Sequence, residues 1–147
     1  MIPLSAILKA KLLIVDDQVA NVLLLERLLA SAGYTDVTST QNPNEVMALH
    51  RHNKFDLILL DLNMPEMDGF EVIESLKGIE AGGIPPVLVI TAQPNEKLRA
   101  LKAGALDFVS KPFDIAEVLA RVQNLLQVRL LHLETQKLYK QVLVEQD

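Results

Sequence analysis

The chain has no cysteine among its 147 residues. That excludes disulfide bridges and thiolate metal centres, and it fits a reducing compartment, so a cytoplasmic location is the expectation. Basic residues are not in excess: 14 Lys and Arg stand against 19 Asp and Glu, a net charge of -5. A surface of that sign gives no global attraction to nucleic acid or to anionic lipid. No apolar run reaches the roughly 18 residues of a membrane span. The opening MIPLSAILKAKLLIVDDQ has a broken apolar pattern with Lys9 and Lys11 inside it and an acidic pair after it, which reads poorly as a secretory leader. What remains is a chain that is 50% hydrophobic, enough for one packed core of single-domain size with at most an appendage.

Apolar runs at Leu12 to Val15, Leu57 to Leu60 and Val87 to Ile90 lie too close to turn residues to be helices. They are apolar on both faces, as strands of a covered parallel sheet are. Weaker strand candidates are Val37 to Thr40 and Leu106 to Val109. Between them, helical periodicity runs over Val19 to Ala32, Pro43 to Arg51, Gly69 to Lys77, Asn95 to Ala103 and onward from Asp114. Strand and helix thus alternate five times. With short right-handed connections, this predicts an α/β doubly wound parallel sheet with helices on both faces.

In such sheets chemistry gathers beyond the carboxyl ends of the strands. The residues expected there are Asp16 and Asp17 after the first strand, Asp61 after the third, Thr91 after the fourth and Lys111 after the fifth. Each has an ordinary reading as well. An Asp after a strand is often an N-cap, a strand-end Thr is often satisfied by backbone, and a lone Lys is usually a solvated charge. Two consecutive acids exceed what one cap needs, however, and Asp68 and Gly69 already supply the turn and helix start after Asp61.

Three carboxylates at one edge raise one another's proton affinity unless a cation neutralises them. An all-oxygen set favours magnesium over zinc, which prefers His or Cys. His50, His52 and His132 lie on helical stretches and are expected at the surface rather than as ligands. A hydrated metal beside one lysine and one hydroxyl can hold a phosphoryl group. Lys111 offsets its charge, Thr91 donates a hydrogen bond, and a carboxylate attacks phosphorus.

The run IVDDQ, the segment LLDLNMPEMDG, the pair Thr91-Ala92 and the segment DFVSKPF resemble the response regulator receiver family, of the CheY type. They occur in that order, with spacings of 44, 30 and 20 residues from Asp17 through Asp61 and Thr91 to Lys111. The resemblance covers residues 11–126, after an N-terminal lead of residues 1–10. It implies a flavodoxin-like five-stranded sheet in the order 2-1-3-4-5. It further implies that Asp61 accepts a phosphoryl group from a sensor histidine kinase or phosphotransfer protein. Asp17 resembles the direct Mg2+ ligand, Asp16 a ligand through water, and Asn63 a ligand through its backbone carbonyl, with Asp61 completing the set. Pro112 matches the family's cis-proline after the lysine.

The resemblance also implies how a signal leaves. Thr91 moves to meet the phosphoryl oxygens, and Phe108, three positions before Lys111, turns inward by packing alone since it has no hydroxyl; its other reading is plain core. The expected output face combines the fourth predicted helix, the fifth strand and the fifth helix. Asn63 and Gln93 flank the path of attacking water.

The last helical pattern continues past Leu126 without Gly or Pro, as an extended C-terminal helix over residues 127–147. A helix from Asp114 to Glu145 spans about 48 Å and must protrude. Val128, Leu131, Thr135, Leu138 and Val142 alternate spacings of three and four, a short coiled-coil seam that predicts a homodimer; the alternative is a helix that packs on its own domain or lies loose. Such a helix resembles the linker to an output domain, including cyclic-di-nucleotide enzymes, so the chain is readable as a fragment whose output is absent. No catalytic activity beyond its own phosphorylation and dephosphorylation is expected, nor any nucleic-acid or membrane contact. A haloacid-dehalogenase phosphatase needs a general acid where Asn63 stands, and a flavin carrier needs a phosphate loop where DDQVAN stands. The remaining alternative is a degenerate receiver acting only through protein contacts.

Overall fold

The computed structural model describes residues 2–64, 68–77 and 86–146; Pro65, Glu66 and Met67 of the LNMPEMDG segment and Asp147 lie outside them. Five parallel strands form one sheet: β1 Lys11–Val15, β2 Asp36–Thr40, β3 Leu57–Asp61, β4 Val87–Thr91 and β5 Asp107–Ser110. Their order is β2-β1-β3-β4-β5, that of flavodoxin-like folds, as expected. The helices are α1 Leu4–Ile7, α2 Val19–Ser31, α3 Val46–Asn53, α4 Gly69–Leu76, α5 Lys97–Ala103 and α6 Ile115–Gln146.

Period-two alternation divides the core into two layers. Leu12, Ile14, Leu57, Leu59, Leu88 and Ile90 face α1, α2 and α6. Their neighbours Leu13, Val15, Ile58, Leu60, Val87 and Val89 face α3, α4 and α5. The three central strands carry apolar residues on both faces because both are covered. β2, at the edge, is only partly buried, which is why its sequence signal was weaker.

The two strands nearest the middle of the site run one residue further than their apolar runs, so Asp61 and Thr91 end β3 and β4 as strand residues and not as loop residues. The predicted helices at Pro43 and Asn95 both begin as a single 3-10 turn, Pro43–Glu45 and Pro94–Glu96, before α3 and α5. α4 starts at Gly69, capped by the Asp68 side chain, which accepts from the Phe70 N–H at 2.9 Å. A Cβ on Gly69 would stand 2.7 Å from the Leu62 Cα. Only glycine lets the helix start this close to the end of β3.

Histidine 50 differs from its expected surface position. It is 1% exposed, its ring stacks on Phe55, and its Nδ1 accepts the Phe55 N–H at 3.2 Å. The reversal follows from the end of α3. Lys54 takes a left-handed conformation at φ 55°, folding the chain back so that Phe55 meets the helix face that carries His50.

The N-terminal residues, which lacked a clear pattern, pack as part of the domain. Ile7 and Ala10 are buried in the α1/α2/α6 layer, with Ile2 and Leu8 against it. α6 has two unlike parts. Val118, Val122 and Leu126 are fully buried, each spacing of four placing them on one face, and burial of such side chains contributes about 1.5–3 kcal/mol apiece. Arg129 pairs with Asp56 at 3.6 Å, Leu130 still packs against the core, and beyond it the helix leaves the domain. Its 32 residues make it about 48 Å long.

Candidate functional site

The strand ends bring Asp16, Asp17, Asp61, Thr91 and Lys111 to one edge. Carboxylate oxygens of Asp16, Asp17 and Asp61 lie within 4.8 Å of one another, with Asp16 and Asp61 buried. Lys111 Nζ reaches Asp61 Oδ1 at 3.2 Å and Asp16 Oδ2 at 3.7 Å. The peptide Lys111–Pro112 is cis, and the Lys111 N–H donates to the Thr91 carbonyl at 2.8 Å.

The two consecutive acids do different things. Asp16 Oδ1 accepts the Gln18 N–H at 3.0 Å and so shapes the loop before α2. Asp17 caps nothing: α2 has Gln18 at its N-cap and no side-chain cap bond. Its Oδ1 is buried, and among the described residues it has no hydrogen-bond partner. Such an oxygen is costly unless something positive meets it. Burial pushes the Asp61 carboxyl above the ordinary carboxylate range; the Asn63 N–H opposes this, the Asp16 charge adds to it, and Lys111 opposes it. One ammonium cannot balance three carboxylates. The donor set is oxygen only, with one atom awaiting a partner, and it fits a hard divalent cation.

Asn63 sits beside this cluster, its N–H donating to Asp61 Oδ1 at 3.2 Å and its side-chain Nδ2 to Thr91 Oγ1 at 3.4 Å. Phe108 is half-buried against the α3/α4/α5 layer, with Lys97 Nζ 4.6 Å from its ring centroid. The residues expected at the site therefore converge, and Phe108 lies one strand away on β5.

The Response regulator receiver domain profile matches residues 12–123. The chain belongs to this family. As a receiver, it is 38% identical over 125 residues to the Response regulator PleD of Caulobacter vibrioides, covering 84% of this chain and 27% of that protein. It is 40% identical over 119 residues to the DNA-binding dual master transcriptional regulator RpaA of Synechocystis, covering 80% of this chain and 49% of that one. The receiver thus spans about a quarter to a half of the length of these curated relatives. Among solved structures, the chemotaxis protein CheY4 of Vibrio cholerae matches with a TM-score of 0.73 at 30% identity, over 80% of this chain and 98% of that one. The receiver domain of the Francisella response regulator 1452 matches with a TM-score of 0.73 at 28% identity, over 81% and 98%.

One feature of this receiver's site escaped the sequence reading. Thr91 Oγ1 donates to Glu96 Oε2 at 3.3 Å while accepting the Gln93 N–H at 3.1 Å. The signal was present as a repeat. The pattern Thr-x-x-Pro-Asn-Glu occurs at 40–45 and again at 91–96, and in both places the strand-end Thr donates to the Glu five residues on, Thr40 to Glu45 at 2.8 Å.

Proposed function

We propose that this receiver domain of a two-component system is phosphorylated on Asp61. An oxygen of the Asp61 carboxylate attacks phosphorus of a phosphohistidine on a sensor kinase or phosphotransfer protein. The new O–P bond forms as the P–N bond breaks, and its electron pair returns to the departing imidazole. The observation that carries the reading is the buried Asp17 oxygen, which has no partner among the described residues, beside an Asp61 carboxylate 3.2 Å from Lys111.

Asp17, Asp61 and the Asn63 carbonyl would hold Mg2+, with Asp16 a ligand through water. The ion, when bound, offsets charge on the phosphoryl oxygens. Lys111 pairs with the same oxygens, and Thr91 donates to one of them. Phosphorylation adds charge of about -1.5 to -2 at neutral pH, and the movement of Thr91 and Phe108 carries the change to the face formed by α5, β5 and α6. The site acts in the cytoplasm, through protein partners and without nucleic acid or membrane; among the described residues no helix is long and apolar enough to cross a membrane.

The protruding part of α6 pairs with a second copy. Val128, Leu131, Leu138 and Val142 are all exposed, and Thr135 at the middle of this seam ties its hydroxyl to the Leu131 carbonyl at 2.9 Å. A seam of this spacing buries its apolar stripe only against another helix. Downstream, the helix controls whatever output domain it is joined to.

Intact mass after incubation with magnesium and acetyl phosphate tests the acceptor. The wild type gains about 80 Da, one phosphoryl group, and Asp61→Asn gains nothing. Equal gain in both proteins would place the phosphoryl group elsewhere. Light scattering on the same samples tests the seam: Leu138→Asp shifts the protein to monomer without altering the mass gain.

A further inference from the structure

The duplicated Thr-x-x-Pro-Asn-Glu junction bears on how this site is held when it carries no phosphoryl group. A threonine hydroxyl has one proton to donate. At the first junction Thr40 spends it locally, on Glu45 Oε2 at 2.8 Å and the Asn42 carbonyl at 3.3 Å. At the second junction the same geometry turns the proton of Thr91 towards Glu96, with Asn63 Nδ2 and the Gln93 N–H filling its acceptor side. Thr91 is fully buried, so water cannot offer its proton another acceptor. A phosphoryl group on Asp61 therefore competes with Glu96 for a single hydrogen.

We infer that Glu96 is a positioning residue that latches Thr91 in its unphosphorylated arrangement, the Glu96 carboxylate and the phosphoryl group being exclusive acceptors of the Thr91 hydroxyl. The inference rests on the phosphoacceptor reading and adds to it a built-in opposition to switching. The next residue extends the latch. Lys97, the first of α5, lies over the ring of Phe108, so the start of α5 touches both expected moving side chains through consecutive residues. The bond to Glu96 is 3.3 Å, against 2.8 Å for its counterpart at Thr40.

The test is a double-mutant cycle read by calorimetric affinity for beryllofluoride, a phosphoryl mimic, in saturating magnesium. Glu96→Ala binds about tenfold tighter than wild type, near the low end of what a hydrogen bond to a charged acceptor is worth. In a Thr91→Ala background the same substitution changes nothing, while Glu45→Ala leaves the affinity at the wild-type value. An equal gain with and without Thr91 would overturn the latch, because it would mean that the Glu96 charge repels the mimic directly. No gain in either background would overturn it too. Asp61-independent binding, or none in wild type, would remove the phosphoacceptor reading along with it; normal binding with no coupling removes the latch alone.

Discussion

The junctions after β2 and after β4 share a six-residue pattern, a strand-end threonine, a 3-10 turn and a threonine-to-glutamate hydrogen bond. They nevertheless serve different purposes. β2 is the edge strand, with only β1 beside it, whereas β4 lies between β3 and β5. The pairing of Asp61 with Ile90 and of Thr91 with Ser110 puts Thr91 next to the acidic cluster on one side and the Lys111 turn on the other. Thr40 pairs with Val15, one residue before Asp16, and the Asp16 N–H donates to its carbonyl at 3.2 Å, but its hydroxyl points into its own turn. A local motif is thus a structural clip at the edge of the sheet and part of a site near its middle.

The largest expected effect separates the two junctions by cation response. Magnesium at about a hundred times its dissociation constant stabilises a binding protein by about 2.7 kcal/mol. Thermal melts of wild type and Glu45→Ala are expected to show that response, and Asp17→Asn to lose most of it. A full response in Asp17→Asn would show that the orphaned oxygen is not a ligand.

The next effect is on stability without metal. Glu45→Ala removes the short bond of a buried hydroxyl and is expected to cost about 1 kcal/mol in urea unfolding. Glu96→Ala leaves the buried Thr91 hydroxyl without the acceptor that Thr40 keeps in the Asn42 carbonyl, and a larger cost of about 2 kcal/mol is expected. Equal costs would erase the distinction between clip and latch.

The smallest effect is a pH dependence at Asp61, which ends β3 beside β4. The folded-state pKa of Asp61 is raised, by burial first. Its contribution to stability is therefore fully present below the unfolded value of about 3.9 and is lost as pH rises through the folded value. Asp61→Asn cannot lose a proton there. Without magnesium, its stability relative to wild type should grow across that window and then level off, and a gap that shrinks with rising pH would reverse the assigned direction.

The site was legible to a large degree because its residues follow apolar runs. Asp16, Asp17, Asp61, Thr91 and Lys111 each come at or just past a strand, and a parallel sheet aligns all its carboxyl ends at one edge. The length of α6 was equally plain, since nothing in its sequence stops a helix. The burial of His50 was not legible, because it depends on the left-handed turn at Lys54 bringing Phe55 back over α3. Nor was the role of residues 2–10, whose apolar side chains have no regular period and find their partners on α2 and α6, far away in sequence.

The sequence by itself determined the alternation of strand and helix, the acids and lysine at the strand ends, and both copies of the Thr-x-x-Pro-Asn-Glu junction, because these depend on local periodicity and turn chemistry. Only the tertiary structure decided which junction meets the carboxylates, which oxygen of Asp17 is buried with no partner among the described residues, and where α6 leaves the domain. Those depend on strand order and on burial, and neither is a property of any short stretch of chain: two identical motifs acquire different neighbours when one lies at the edge of a sheet and the other beside its central strand.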